Sequence, residues 1–192
     1  MKNYDIDKIL KPAFKLFLTH NYESVSTPKL EKEAGLTRGA IFYKHKSKKA
    51  LFIAVVDRYI LNSLTRDVKA PSDIMLKEYI DSFLNELMVR MESMKELGIE
   101  NVHRGIINLI YEALKNYPNF EQKISQFVED YLEQWTIVIQ HALDSGEIVS
   151  KCEAKDIAQQ FKYLYSAMIL EQSFERKIGN DLLYDYYNSL KR

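Results

Sequence analysis

Apolar residues recur every three to four positions along nearly the whole chain, and strict alternation between turn pairs occurs nowhere. Ile6, Ile9, Leu10, Ala13, Phe14 and Phe17 share one helical face, which predicts a first helix from about Tyr4 to Thr19. Pro12 lies inside it and removes a backbone donor, so a kink or a late start is expected there. Thr27-Pro28 opens a second, short helix, with Thr27 as the expected N-cap and proline at the first helical position. Gly35 stops it. Thr37 caps a third helix from Arg38 to about Lys44. Ser47 caps a fourth that runs through Leu51, Val55 and Tyr59 to about Arg66. After Pro71 come five amphipathic segments: 72–97, 101–116, 119–145, 153–177 and 180–191. Gly98, Asn116-Tyr117-Pro118, Gly146 and Gly179 separate them. The pattern predicts an all-α protein of about nine helices. A three-helix unit over residues 1–48 precedes a larger helical domain over 49–192, and the helix over about 48–66 connects them.

Composition narrows this further. With 192 residues, 46% hydrophobic and 28% charged, the chain can bury its own core without staples. Six glycines and four prolines are too few for an all-β fold or a glycine-rich phosphate loop. The longest apolar run, Leu51–Val56, is far short of a membrane span. The N-terminus has no apolar signal region, so a cytoplasmic protein is expected. Cys152 stands alone, which excludes an intrachain disulfide. The net charge is zero but unevenly spread. Residues 1–60 hold 12 basic against 6 acidic side chains, and residues 61–192 hold 15 against 21. The basic excess is sharpest between Thr27 and Lys49. Such a stretch attracts polyanions, nucleic acid foremost, although a solvated lysine-rich face has the same composition.

The two short helices around Gly35 can form a helix-turn-helix. Ile41 anchors the second of them, which leaves Arg38, Gly39, Ala40, Tyr43 and Lys44 to face outward. Small residues at 39 and 40 let a helix lie close to base edges, and an arginine fork matches guanine in the major groove. Lys44, Lys46 and Lys48 follow where phosphates would lie, and Ser26 and Thr27 sit at the start of the preceding helix. The candidate DNA-binding set is Ser26, Thr27, Thr37, Arg38, Gly39, Ala40, Phe42, Tyr43, Lys44, Lys46 and Lys48. Within it, Arg38 and Tyr43 are assigned to bases, and Thr27 and the three lysines to phosphates.

From residue 4 to about 60 the chain resembles the DNA-binding domain of the tetracycline-repressor (TetR) family of bacterial transcriptional regulators. The resemblance rests on Ile9-Leu-Lys-Pro-Ala-Phe-Lys-Leu-Phe17, on Tyr22-Glu-Ser-Val-Ser-Thr27, and on the run from Leu30 to Leu51. In that run Ala34, Gly35, Thr37, Gly39, Ile41, Lys48 and Leu51 fall on the family pattern. Phe42 stands at a usual Tyr, Lys44 at a usual His or Tyr, and His45 at a usual Phe. The resemblance implies an all-α homodimer whose last two helices form an intersubunit four-helix bundle. It also implies a palindromic operator that the protein usually represses. The apolar stripes Phe161, Leu164, Met168 and Leu182, Leu183, Tyr186, Tyr187 suit such an interface, or alternatively a core within one subunit.

The second domain carries aromatic and Met residues at helical spacing. Phe83, Leu87 and Met91 form one stripe; His103, Ile107 and Tyr111 lie on the next segment. Phe127, Tyr131 and Trp135 recur every four residues, and Tyr165 and Met168 come from a fourth segment. Converging stripes of this kind suit a pocket for a small apolar or aromatic effector that releases the DNA, or plain core. Other chemistry finds little support. Glu100-x-x-His103 is half of a di-iron motif, and His20, His45 and His141 supply no second copy, so no metal or cofactor is assigned. Glu129 and Glu133 read as a solvated stripe, and no serine or histidine sits in a nucleophile elbow. No catalytic residue is assigned, and the rival reading is a helical adaptor or ligand-binding protein without DNA binding.

Overall fold

The computed structural model describes residues 6–62, 71, 73–176, 179 and 181–191. The expected helix limits at Tyr4, Arg66, Ser72, Lys177 and Asn180 lie outside the described residues. Among the described residues there are nine α-helices and no strand: α1 (Asp7–Thr19), α2 (Thr27–Ala34), α3 (Arg38–Phe42), α4 (Lys48–Val56), α5 (Leu76–Lys95), α6 (Val102–Asn116), α7 (Phe120–Asp144), α8 (Ala154–Ser173) and α9 (Asp181–Ser189). None is long and apolar enough to cross a membrane.

The local signals act largely as read. Thr37 Oγ1 accepts from the Ala40 N–H at 3.4 Å and Ser47 Oγ from the Ala50 N–H at 3.1 Å. Gly35 closes α2 with φ 61°, a left-handed turn that glycine adopts without strain. Helix α1 continues through Pro12. Helix α3 ends at Phe42, two residues earlier than the spacing predicts. Helix α4 passes into a π-helical turn over Asp57–Leu61, where the Arg58 guanidinium meets Asp7 at 2.6 Å.

Two cores result. In the first, Phe14, Phe17, Leu30, Ile41, Leu51, Phe52 and Val55 meet Val102, Leu109 and Ala113 of α6. The first two turns of α4 and one face of α6 pack with the N-terminal helices. The second core joins α5, α7, α8 and α9 around Trp135. Its indole stacks on Phe161 at 4.9 Å and takes Tyr79 and Phe83 edge-on at 4.9 and 5.5 Å. Glu147, in the turn after α7, binds this half together. Its carboxylate accepts from the N–H groups of Leu76 and Lys77 at the start of α5, at 2.8 and 3.0 Å. The Tyr187 hydroxyl of α9 donates to it at 2.9 Å.

Burial pushes the phenol of Tyr79 up to about 12. Burial and the Glu147 hydrogen bond push Tyr187 to about 12 as well. The unfolded chain gives up these protons near 10. The stability they contribute is therefore complete below pH 10 and is lost as pH rises through 12. Each should add up to ~1.4 kcal/mol per pH unit to the loss across that window. Urea unfolding at about pH 9 and about pH 11 measures it, and Tyr79→Phe should flatten the dependence.

Candidate functional site

Helix α3 is held from below and open from above. Ile41 is buried against the first core, and Phe42 packs half-buried beside it. The Glu31 carboxylate of α2 accepts from the Arg38 backbone N–H at 2.6 Å, which locks the α2–α3 angle through the turn at Gly35. Arg38, Gly39, Tyr43 and Lys44 are exposed, Tyr43 at 67%. A Cβ at Gly39 would meet nothing within 4 Å, so packing within the chain does not require glycine there. Both acids of this stretch are occupied elsewhere, Glu31 on the Arg38 backbone and Glu33 on Lys15 at 2.9 Å. Among the described residues no carboxylate pairs with the side chains of Arg38, Lys44, Lys46 or Lys49.

Three residues of the candidate set sit differently from the expectation. Phe42 turns inward, since a phenyl ring gains more from the core than from water. Ser26, not Thr27, is the N-cap of α2, and its side chain makes no cap bond. Lys48 is a clamp: its Nζ donates to the Tyr22 carbonyl at 3.0 Å and lies 4.2 Å over the Tyr22 ring, with Glu23 at 3.8 Å. His45, next to Lys44, is partly buried and its Nε2 has no partner. Burial and then the Lys44 charge hold its pKa down.

A cavity of ≈ 190 Å³ opens between α5, α7 and α8. Phe83, Leu87, Phe127, Tyr131 and Tyr165 line it. Six other expected pocket residues lie elsewhere. Trp135 is fully buried behind Phe83 and Tyr131, and Met168 is buried in the second core. Met91 packs on the first core. Ile107, His103 and Tyr111 belong to α6, which does not border the cavity. Tyr111 is 61% exposed. His103 is half-buried, and desolvation, then Lys95, lowers its pKa. Helical spacing missed the polar lining, which includes Arg90, Lys162 and Glu86. Arg90 falls three residues after Leu87 on the apolar stripe, a signal present in the sequence. Burial pulls its guanidinium below the ordinary arginine pKa, while the Tyr165 phenol opposes that.

The stripes expected at a dimer interface are mostly spent within the chain. Phe161, Met168, Leu183 and Tyr187 are each at most 3% exposed in the single subunit, and Leu164, Leu182 and Tyr186 are partly covered. The apolar residues left outside on α8 are Tyr163, Leu170 and Phe174, the last at its C-terminal end, with Ala167 between them. They recur at i, i+4, i+7 and i+11, one continuous outer stripe.

A short anchored helix with an exposed arginine and lysines, set on an all-helical body, defines a helix-turn-helix protein. Residues 9–55 match the profile of the bacterial regulatory proteins, tetR family. The chain is 39% identical over 59 residues to the HTH-type transcriptional repressor ComR of Escherichia coli, covering 31% of this chain and 28% of that one. It is 30% identical over 104 residues to the HTH-type transcriptional repressor AcnR of Corynebacterium glutamicum, covering 51% and 53%. The matches thus span about half or less of these relatives' lengths. The fold is similar over nearly the whole chain to the transcriptional regulator FadR of Bacillus subtilis, solved with stearoyl-CoA. That likeness has a TM-score of 0.65 at 17% identity and covers 97% of each chain. Over residues 9–55 the chain is thus similar to the tetR family, and over nearly its whole length it shares the fold of solved regulators.

Lys48 is held by the fold, whereas Lys46 is exposed, and stability separates the two. Lys48→Ala should lower the unfolding free energy by about 1–2 kcal/mol, through the lost hydrogen bond and ring contact. Lys46→Ala should stay within about 0.5 kcal/mol of the parent. Equal melting of the two variants would show the clamp to be idle.

Proposed function

We propose that the protein is a DNA-binding transcriptional regulator, a repressor like its named relatives, that a small molecule in the α5–α7–α8 cavity releases from its operator. The observation that carries the reading is the outer face of α3. Arg38, Gly39 and Tyr43 stand exposed on a helix whose inner side is fixed by Ile41 and Glu31. An exposed glycine that the chain itself does not need leaves room for base edges. Arg38 and Tyr43 are assigned to bases, and Lys44 and Lys46 to phosphates. Gel-shift titration against the DNA upstream of the protein's own gene tests this. Arg38→Ala should cost about 1–3 kcal/mol and relax preference at one base pair. Lys46→Ala should weaken all sequences alike and lower the salt slope by about one. Unchanged affinity and base preference in Arg38→Ala would sink the assignment, and a parent protein that ignores this DNA would favour an adaptor.

The regulator acts as a twofold dimer on a palindromic operator, its reading heads about one DNA turn, roughly 34–36 Å, apart. The outer stripe of α8 supports this, with Tyr163, Leu170 and Phe174 at 60%, 47% and 63% exposure. Leu170→Glu should give a monomer at micromolar concentration with its helicity kept. Leu183→Glu should instead unfold the chain, because Leu183 is wholly inside. A Leu170→Glu protein of dimeric mass in analytical ultracentrifugation would place the interface elsewhere.

A further inference from the structure

The cavity between α5, α7 and α8 keeps its charges apart from its rings. Phe83, Phe127, Tyr131 and Tyr165 form an aromatic chamber with neighbouring ring centroids 5.0 to 6.1 Å apart, which suits the faces and edges of a planar apolar body. In the polar lining Ser82, Glu86 and Ser166 are exposed and form the rim, while Arg90, Gln134 and Lys162 are partly exposed. Arg90 is engaged, with Glu86 at 3.7 Å and the Tyr165 phenol beside it. The Lys162 ammonium lies 5.3 Å from the centre of the Tyr163 ring, on the outer side of α8. Gln134 and the two serines are neutral. A charged ligand would therefore shed its water for a lining whose charges are already met or turned outward.

Within the rings the unmet group is a phenol. The Tyr131 hydroxyl is buried and, among the described residues, has no hydrogen-bond partner. Burial first, and then the phenols of Tyr165 and Tyr79, keep its proton on well above the ordinary tyrosine range, so it is a donor at neutral pH. The indole N–H of Trp135 lies beside it without hydrogen-bond geometry and is unpaired as well. An indole N–H only donates, so the Tyr131 oxygen can take that proton and offer its own. A buried hydroxyl without a partner costs stability, and a ligand atom that accepts from it removes the cost. Size sets a further limit. A dry cavity of about 150 Å³ holds a benzene ring, so ≈ 190 Å³ holds one ring with a small substituent. We propose that the cavity binds an uncharged molecule of one aromatic ring with a small oxygen group. Its ring lies among Phe83, Phe127, Tyr131 and Tyr165, and its oxygen accepts the Tyr131 proton. This rests on the effector reading above for its biological meaning, but not for its chemistry.

Phenol, toluene, benzoate and benzylamine carry the same ring with a neutral hydroxyl, a methyl, an anionic and a cationic head. The fluorescence of Trp135, the one tryptophan of the chain, and calorimetric titration read their binding to the intact protein. Phenol should bind at least about tenfold more tightly than benzoate or benzylamine. Tyr131→Phe should lower the ratio of phenol to toluene affinity about three- to tenfold while toluene affinity stays, which also shows that the variant is folded. Without ligand it should melt at or above the parent, because the hydroxyl it loses is unpaired. Benzoate or benzylamine binding as tightly as phenol overturns the proposal. So does an unchanged ratio in Tyr131→Phe, or no binding of any probe at millimolar concentration. A Tyr131→Phe protein that melts clearly lower overturns it too, since the hydroxyl would then serve the chain's own packing. A gel shift with and without phenol separates the two readings. Phenol that binds with the stated preference but leaves the DNA complex intact upholds the ligand class and overturns the effector role.

Discussion

The two halves of the molecule meet tightly at Gly105. A Cβ there would lie 3.1 Å from the Leu18 carbonyl oxygen and 3.3 Å from its side chain, and α6 approaches the end of α1 so closely that any larger residue would push α1 back by a few tenths of an ångström. Around this point Asn108 Nδ2 reaches the Phe17 carbonyl at 3.5 Å, and the Tyr117 hydroxyl donates to Asp57 at 2.6 Å. Beside Gly105, at the N-terminal end of α6, Asn101 and Arg104 donate to the carbonyls of Gln172 and Ser173 that close α8. One helix is thus fastened both to the N-terminal unit and to the C-terminal body. The N-terminal helices are held against the body through α6.

The cavity does not touch that helix, which changes how a bound molecule would reach the head. Helix α5 spans both regions: Phe83, Leu87 and Arg90 face the cavity, while Met91 and Met94 pack on the first core, with Leu97 just beyond the helix. A ligand closing on Phe83 and Arg90 would act on a rod whose next turn packs on the first core. In the proposed function it favours one tilt of that rod over another. The shift is limited to its difference in affinity for the two tilts, typically about 1–3 kcal/mol. Packed methionines suit such a joint, because their side chains re-pack at low cost.

What was legible in the sequence follows from how local each signal is. Thr37, Ser47 and Gly35 act within one helical turn, so they fixed the helix-turn-helix unaided. The 3.6-residue period found every helix but not its neighbour. Phe83 and Met91 lie on one stripe, yet one lines the cavity and the other packs on the opposite core. Lys48 shows the same limit for charge, since only folding brings the Tyr22 carbonyl and ring within reach of its ammonium. The cavity's cations were missed because a pattern search for apolar residues passes over Arg90 and Lys162, although Arg90 follows Leu87 by three residues and Lys162 stands between Phe161 and Tyr163. The family resemblance covers the first 60 residues and carries no information about these.

The stripes on the last two helices were read as one interface, and their separation into two surfaces has a physical reason. Helix α8 is apolar on opposite sides, with Ile157, Phe161 and Met168 inward and Tyr163, Leu170 and Phe174 outward. A helix apolar all round is a buried helix, so a chain that covers only one side leaves the other for a second surface. Helix α9 cannot take that outer role alone, since Leu183 and Tyr187 are consumed by the core and by Glu147. The cavity wall residues Lys162 and Tyr165 lie between these two faces of α8. In the proposed dimer the same helix would therefore carry the subunit core, the partner contact and part of the ligand site. A ligand that turned α8 by even a few degrees would alter the seating of the partner, and with it the spacing of the two reading heads.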